Sequence, residues 1–371
     1  MICINGAGIA GLTLANCLEK LEIDYFVIEK SDQLRAVGAG IMLQENGLAI
    51  LRALDLLPYL KAADVQKMCF GSIRKSICLY QHKNYQLKAT HRGEIQRLLL
   101  KNIDVTKIKL NSEIKSYSNS KDNVQVTLTS GEIIECSLLI EASGIHGKIV
   151  AKPDLEGTNQ WCWRAIVPGK ERLRTGVECW FGKNRVGIFP ISDIHSHENY
   201  YYIFQVLHIK SEINSTIEKK RLNWLVNIQD TIPELKNLDL SNAQWLSHSL
   251  QQRSINWGEG RVIAIGDAAH ALTPNLGQGA VLAMEDAYCL ANLIQSGVTM
   301  HELLSLFVEK RHKRVKAVKI HSFSAGKSAH LAHPVPVFLR DLILTSLPIS
   351  LIQKKQNRFM NDFINSMIPL H

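Results

Sequence analysis

A glycine-rich turn near the start of the chain constrains its fold more than any other feature. Residues 2–5, ICIN, form a short β-prone run, GAGIAG follows at 6–11, and apolar residues at helical spacing continue to Leu21. A second β-prone run ends at Glu29, 18 residues after Gly11. A strand, a Gly-x-Gly-x-x-Gly turn, a helix and a second strand with an acidic end form the unit that binds dinucleotides. The start of the chain therefore predicts a Rossmann-like domain.

Each glycine of this turn has its own physical reason. Gly6 permits a tight turn, Gly8 lets the backbone approach a pyrophosphate, and Gly11 allows the helix to pack closely on the strand. The helix N-terminus supplies partial positive charge to the phosphates. The Glu29 carboxylate accepts hydrogen bonds from ribose hydroxyls, which favours FAD or NAD over NADP as the nucleotide bound here.

Two further predicted buried strands are each followed directly by a turn. The sequence IGDAAHALTPNLGQGA covers residues 265–280, where Asp267 is placed to bond a polyol hydroxyl and a helix is predicted from Gly279 to Gln295. The sequence IEASGIHG covers residues 140–147. A nucleophile elbow, Gly-x-Ser-x-Gly, would need glycine at 141 and 145, where Glu and Ile stand. The second stretch is therefore a turn and not a catalytic serine.

The middle of the chain differs in amino-acid composition from its two ends. Short runs rich in tryptophan and tyrosine dominate from about 156 to 257 and predict a mostly antiparallel sheet inserted between nucleotide-binding pieces. The amphipathic segment 46–62 predicts one helix. The tail from 301 is predicted to be helical and to be interrupted by three prolines, Pro334, Pro336 and Pro348.

Charge and cysteine usage exclude several classes of protein. The eight cysteines form no CxxC pair, so neither a metal site nor a disulfide framework is expected, and with no basic signal region we expect a cytoplasmic protein. Of the net charge of +9, most lies in residues 301–371, which hold eleven Lys and Arg against four Asp and Glu. No aromatic residues interleave with them on a recognisable module, so no nucleic-acid partner is expected. A solvated helix face, a peripheral contact with an anionic membrane and attraction to acidic ligands all remain open.

Taken together, the motifs resemble the group A FAD-dependent monooxygenases, which have the para-hydroxybenzoate hydroxylase fold, and most of all their salicylate hydroxylase and zeaxanthin epoxidase branch. The resemblance covers essentially the whole chain and rests on GAGIAG, Glu29, Arg35 with VGAGI, HRGEIQRLL, LLIEASGIHG, CWRAIVP, RVGIFPI and IGDAAHALTPNLGQGAVLAMEDA. We therefore expect an α/β fold with three parts. These are a discontinuous FAD-binding domain (1–65, 90–155 and 258–300), an inserted substrate domain (66–89 and 156–257) and a C-terminal helical region (301–371).

The resemblance implies which residues hold FAD. The residues expected at the pyrophosphate and adenosine are Gly6, Gly8, Ala10, Gly11, Glu29 and Lys30. The residues expected at the ribityl and phosphate region are Arg92, Gln96, Ser143, Gly144 and Asp267. The residues expected beside the flavin ring are Arg35, Gly38, Gly40, Pro274, Gly277, Gln278, Gly279 and Ala280.

It also implies the reaction. NADH or NADPH reduces FAD, reduced flavin and O2 form a C4a-hydroperoxide, and one oxygen atom passes to an aromatic or heteroaromatic small molecule. No metal and no side-chain nucleophile is required, and the substrate candidates are Phe189, Pro190, Tyr201 and Phe204. An epoxidase, an antibiotic-inactivating monooxygenase and an FAD-binding protein with impaired NAD(P)H turnover remain alternatives. The sequence leaves open the substrate, the choice between NADH and NADPH, and the oligomeric state.

The 140–147 stretch departs from the pattern GADGIHSxVR of the family. Glu141 replaces Gly, Ser143 replaces Asp, Gly147 replaces Ser and Val150 replaces the terminal Arg. The loss of a carboxylate removes charge-assisted hydrogen bonds. The resemblance implies that this stretch lies near the FAD pyrophosphate and takes part in NAD(P)H use. We therefore expect FAD to bind through the other two motifs and NAD(P)H handling to be weakened. We expect Ser143→Asp to raise NAD(P)H-dependent flavin reduction more than FAD affinity.

Overall fold

A computed structural model gives the fold of the chain. It describes residues 1–34, 39–72, 75–81 (main chain only), 86–150, 154–192, 199–209, 212–348, 350, 354 and 362–370. Two residues expected beside the flavin, Arg35 and Gly38, lie outside the described residues.

The predicted β-α-β unit opens a six-stranded sheet. Strand β1 (Ile2–Asn5) pairs in parallel with β2 (Tyr25–Ile28), and α1 (Ile9–Lys20) connects them. The other strands are β8 (Ile108–Lys109), β12 (Leu138–Glu141), β18 (Gly258–Glu259) and β19 (Val262–Ala264), and the order is β18-β19-β12-β1-β2-β8. Because β1 lies between β2 and the sequence-distant β12, the strand order reverses there. Ligands of open α/β sheets bind at the carboxyl ends of strands at such a point.

Side chains of β1 alternate between two layers. Ile2 and Ile4 share a core with residues of α1, α3 (Arg92–Leu99) and α7 (Gly279–Gln295). Cys3 points to the other face, where a small antiparallel sheet packs, made of β9 (Ile114–Asn119), β10 (Val124–Leu128) and β11 (Ile133–Cys136). The strands are therefore buried on both faces, as their continuous apolar runs predict.

The inserted sheet has seven strands and is mostly antiparallel, as predicted. Its strands are β5 (Lys67–Ser72), β6 (Lys75–Gln81), β13 (Leu155–Pro168), β14 (Thr175–Phe181), β15 (Asn184–Ile191), β16 (Tyr200–His208) and β17 (Leu246–Arg253), in the order β17-β13-β16-β15-β14-β5-β6. Only the β14–β5 pair among these is parallel in the described part of the sheet.

The two faces of this sheet pack against different partners. One face packs under α4 (Ser215–Asn227) and α5 (Pro233–Lys236). The other packs against a three-stranded sheet formed by β3 (Gly40–Leu43), β4 (Ala63–Asp64) and β7 (Lys88–His91), which belongs to the first half of the chain. This second face is turned toward the nucleotide-binding part of the molecule.

The remaining helices are α2 (Glu45–Ala53), α6 (Asp267–His270), α8 (Met300–Ala329) and α9 (Pro334–Ser346). The predicted helix 46–62 is shorter than expected, because Asp55 adopts a left-handed conformation (φ 57°) and Pro58 lies in a separate 3₁₀ turn. Helix α7 begins and ends at the predicted residues. None of the helices in the described ranges is long and apolar enough to cross a membrane.

Candidate nucleotide-binding and active site

The glycine turn after β1 leaves space for a ligand. A Cβ on Gly6, whose φ is +112°, would lie 2.7 Å from the carbonyl oxygen of Ala142, and a Cβ on Gly11 would lie 2.0 Å from that of Gly6. At Gly8, by contrast, a Cβ would meet no heavy atom of the described residues within 4 Å. Gly8 is also the N-cap of α1, and no described side chain caps this helix. Its free N–H groups and positive end therefore face an open cradle suited to a pyrophosphate.

The Glu29 carboxylate is fixed beside this cradle. Its Oε2 accepts from the Ala7 N–H at 2.8 Å, and its Oε1 accepts from the Ser31 N–H at 2.9 Å. Each oxygen has a second lone pair available for a ribose hydroxyl. The neighbouring Lys30 side chain is exposed.

Helix α3 contacts the same turn. The Gln96 amide donates from Nε2 to the Ala7 carbonyl oxygen at 3.3 Å. Arg92, at the first position of α3, has an exposed side chain, and its N–H bonds the carbonyl of Ala39 at 3.0 Å. Gln96 thus lies at the edge of the cradle, and Arg92 lies one helical turn before it on α3.

A second turn follows β19. Gly266 has φ 60° and ψ −143°, which only glycine adopts readily, and Asp267 after it is exposed. A Cβ on Gly279 would lie 3.9 Å from Asp267 Oδ1, so this carboxylate lies at the N-terminus of α7. No described side chain caps that 17-residue helix. Between these points Pro274 lies in a 3₁₀ turn, and Gly277 is left-handed with φ 64°.

The side chain of Gln278 lies in the protein interior. It is fully buried, donates to Gln44 Oε1, and accepts at Oε1 from Asn46 Nδ2 at 3.2 Å. Its side chain is therefore used to fix the loop, and only its main chain is left to face a cofactor.

The third turn, after β12, completes the site. Ser143 is exposed, and at Gly144, whose φ is +84°, a Cβ would meet no heavy atom of the described residues within 4 Å. The contact of Gly6 with Ala142 places this turn directly against the glycine turn. Strands β1, β12 and β19 are neighbours, so all three turns lie at their carboxyl ends.

A buried charge network, which the sequence motifs did not predict, supports the Gly266 turn. Asp286 Oδ2 accepts from the Gly266 N–H at 2.9 Å and lies 2.5 Å from His270 Nε2. Arg311 of α8 donates from Nε to Asp286 Oδ1 at 2.7 Å, and its Nη2 forms an ion pair with Glu285 Oε2 at 2.9 Å. Burial would raise the pKa of Asp286, but His270 and Arg311 outweigh it and hold that pKa below its usual value. The available signal was the adjacent acidic pair in the otherwise apolar sequence of α7.

Aromatic rings cover the face of the inserted sheet that is turned toward the nucleotide side. The rings of Phe189 and Phe204 stack with centroids 6.0 Å apart, and Tyr202 lies 6.4 Å from Phe189. A Cβ on Gly40 would lie 2.3 Å from Tyr202 Cγ, so the glycine allows the close approach of this ring. These residues share a core with Ala39 of the nucleotide-binding part.

The structure places two of the predicted substrate residues, Tyr201 and Pro190, away from the aromatic face. Tyr201, the predicted pocket residue, points to the opposite face, where its hydroxyl donates to the Glu171 carbonyl and accepts from the Leu173 N–H. Tyr201 and Pro190 line a separate cavity of about 340 Å³ together with Arg172. Tyr202 takes the place of Tyr201 on the aromatic face, because neighbouring strand residues point in opposite directions.

Two arginines border the aromatic face. Arg185 is buried, bonds Glu178 at 3.1 Å, and donates to Asn275 of the 3₁₀ turn. Burial lowers the pKa of Arg164, but Tyr202, Cys162 and Asp267 raise it above its ordinary value. Arg164 therefore stays charged between the sheet and the Asp267 turn.

Comparisons with known proteins agree with this geometry. A model of the FAD binding domain family matches residues 1–322. The 2-heptyl-3-hydroxy-4(1H)-quinolone synthase of Pseudomonas aeruginosa is 30% identical over 94% of each chain, and 3-hydroxybenzoate 6-hydroxylase 1 of Aquipseudomonas alcaligenes is 25% identical over 90% of this chain and 89% of the relative. The crystal structure of Klebsiella pneumoniae HpxO complexed with FAD and uric acid superposes with a TM-score of 0.83 at 20% identity, covering 100% of this chain and 98% of that one.

Proposed function

This chain belongs to the FAD-binding domain family and is an FAD-dependent monooxygenase of the aromatic hydroxylase type. From that premise we propose that it uses NADH or NADPH and O2 to place one oxygen atom on a heteroaromatic ring that carries an apolar substituent. The balanced reaction converts the substrate C–H, O2, NAD(P)H and a proton to C–OH, NAD(P)⁺ and water. The main support for this proposal is the aromatic face formed by Phe189, Tyr202 and Phe204, which packs against the strand that begins at Gly40.

The residues present fit FAD. The open cradle at Gly8 and the uncapped N-terminus of α1 would hold its pyrophosphate, and Glu29 would accept from the adenosine ribose. Asp267 would accept from the ribityl chain, and the N-terminus of α7 would face the negatively charged edge of the reduced ring. When bound, FAD supplies the two-electron chemistry that activates O2.

The inserted sheet orients the substrate and excludes water. Stacked rings favour a planar aromatic ligand, and the mostly apolar side chains of this face keep water away. The relative with 30% identity is named for a quinolone that bears a heptyl chain. A quinolone-type bicyclic ring with an apolar chain is therefore our proposed substrate class.

The test is a screen of NAD(P)H oxidation with hydrogen peroxide measured in parallel. Alkylquinolones are expected to stimulate oxidation more than hydroxybenzoates or purines, with less peroxide per NAD(P)H consumed. If the yellow protein shows no stimulation with any candidate, it is an FAD-binding protein without efficient turnover.

Phe204→Ala is expected to raise KM for the substrate by about tenfold and to increase the peroxide fraction, because about 1.5–3 kcal/mol of ring burial is lost beside the substrate. Steady-state kinetics with product and peroxide quantified check this. Phe181→Ala is the matched control, since Phe181 packs on Trp224 at the opposite face. Equal changes in KM for the two variants would count against the assigned face.

We also propose a cytoplasmic location and peripheral contact with an anionic membrane through α9. The burial pattern of this helix is the reverse of the usual one. Its charged residues Arg340 and Asp341 are buried, where Arg340 donates to the Ser328 carbonyl and Asp341 accepts from the Ser72 hydroxyl. Its apolar residues form an exposed stripe, at 45–64% exposure for Val335, Phe338, Leu339, Leu342 and Ile343. Helix α9 lies beyond the part matched by the family model.

Charge favours a bilayer over a second copy of the chain as the partner of this stripe. The C-terminal region carries most of the net charge of +9, and Lys313, Lys316 and Lys327 are exposed on α8. Such a surface is attracted to anionic lipids and repels another copy of itself. A membrane contact would bring the enzyme to an apolar substrate dissolved in the bilayer.

Co-sedimentation with vesicles tests this contact. The wild type is expected to bind vesicles rich in phosphatidylglycerol, which carry the negative surface potential of an anionic leaflet, more tightly than neutral ones. Phe338→Glu/Leu342→Glu should reduce binding at least about tenfold. Ile133→Glu, at an exposed apolar residue of β11, should not. Unchanged binding, or a wild-type dimer that the double variant abolishes, would contradict the proposal.

A further inference from the structure

The three departures from the family pattern at 141, 143 and 147 lie in mutual contact. The Ser143 N–H donates to Glu141 Oε1 at 2.8 Å. A Cβ on Gly147 would lie 2.8 Å from Ser143 Oγ and 3.2 Å from Glu141 Oε1. Glycine at 147 therefore makes room for the side chains of the other two positions, and the replacements form one structural unit.

Glu141 connects this unit to the glycine turn. Its side chain is 1% exposed, and it accepts from Asn5 Nδ2 at 3.1 and 3.3 Å. Asn5 immediately precedes Gly6, its carbonyl accepts from the Ala142 N–H at 2.9 Å, and Gly6 lies directly against the Ala142 carbonyl. Burial raises the pKa of Glu141, while the hydrogen bonds from Ser143 and Asn5 lower it in part. A buried carboxylate thus holds the ends of β1 and β12 together.

A buried guanidinium supports the same turn from a distant part of the chain. Arg253, at the end of β17, is 2% exposed and donates from Nη1 to the Gly147 carbonyl oxygen at 3.1 Å. Its N–H bonds the carbonyl of Ala271 at 2.9 Å, which joins the turn after β12 to the one after β19. Burial lowers the pKa of Arg253 and Glu141 raises it, so the two charges attract each other. Val150 stands where the family pattern has its arginine.

We propose that Glu141 and Arg253 act as positioning residues that replace the carboxylate and the guanidinium missing from the motif. Together they hold the turn of residues 142–147 against the glycine turn in the shape that receives FAD. This inference rests on the proposed FAD-dependent function. It also implies that Ser143→Asp weakens FAD binding, because an aspartate there would place a second carboxylate beside the buried Glu141.

The test measures FAD affinity of the reconstituted protein by flavin fluorescence. Glu141→Ala is expected to weaken FAD binding by about 10–100-fold, since it removes hydrogen bonds to a charged group. Glu141→Gln, which keeps the acceptor for the Ser143 N–H, should stay within about fivefold of the wild type. Glu135→Ala, at an exposed residue of β11, is the matched control and should leave the affinity unchanged.

A double-mutant cycle tests the replacement itself. Ser143→Asp alone should weaken FAD binding by about tenfold, and Glu141→Gly alone by about 10–100-fold. The double variant Glu141→Gly/Ser143→Asp, which restores the family residues at these two positions, should recover most of the wild-type affinity. Additive effects, or tighter FAD binding in Ser143→Asp alone, would overturn the inference. If the wild type bound no FAD, the proposed function would fail; if it bound FAD and Glu141→Ala bound it equally well, only this inference would fail.

Discussion

Gly11→Ala is expected to abolish FAD binding at micromolar FAD and to lower the stability of the protein. Its Cβ would lie 2.0 Å from the carbonyl oxygen of Gly6 and 3.1 Å from Ile4, so α1 must move away from β1. Overpacking against rigid backbone costs about 3 kcal/mol or more, and the same shift deforms the pyrophosphate cradle. The visible flavin absorbance of the purified protein and its thermal unfolding measure the two effects.

Gly8→Ala is expected to weaken FAD binding without changing the stability of the fold. Its Cβ would meet no described heavy atom within 4 Å, so the thermal stability of the apoprotein should be unchanged. The methyl group would project into the cradle, and FAD affinity should fall by about 10–100-fold. Gly157→Ala, with equally open surroundings in β13, should change neither property. Full FAD affinity in Gly8→Ala would show that the cradle is not the pyrophosphate site.

Arg311→Leu is expected to destabilise the protein by about 3–5 kcal/mol, because it leaves the buried carboxylates of Glu285 and Asp286 without their shared cation. The melting temperature should fall by about 10 °C. FAD should also be lost, since Asp286 holds the Gly266 N–H at the start of the second turn. Differential scanning fluorimetry with and without added FAD measures both effects.

The neighbouring Arg314 supplies the control for this prediction. It bonds Glu285 at 2.9 Å but does not share Asp286 in the contacts of the described chain, and 12% of its side chain is exposed. Arg314→Leu should therefore cost less than half as much stability and should retain FAD. Equal losses in the two variants would mean that the network does not act through Asp286.

Local sequence features predicted the turns because their determinants lie within a few residues. Gly11 is required by contacts with Gly6 and Ile4 inside one β-α unit, and α7 follows directly from the Gly-rich loop before it. The family membership and the FAD cofactor were predicted from these features, and the match to the FAD binding domain family confirmed them. The domain boundaries and the roles of the individual site residues remain predictions.

Features that depend on distant contacts could not be read from the sequence. The choice between Tyr201 and Tyr202 depends on the register of β16, where a shift of one residue reverses the face. The inward orientation of Gln278 depends on Gln44 and Asn46, more than 200 positions away. Arg253 reaches a turn 106 residues earlier in the chain. In each case tertiary packing, and not local propensity, decides the orientation of the side chain.

The central claim is that this protein transfers one atom of O2 to a heteroaromatic ring. Mass spectrometry of products formed under ¹⁸O2 tests it most directly, with FAD-loaded protein, NADH or NADPH, and an alkylquinolone. We expect a hydroxylated product that carries one ¹⁸O atom, and none from Gly11→Ala, which should bind no FAD at micromolar FAD. Consumption of NAD(P)H that yields only peroxide, or a product whose new oxygen comes from water, would contradict it.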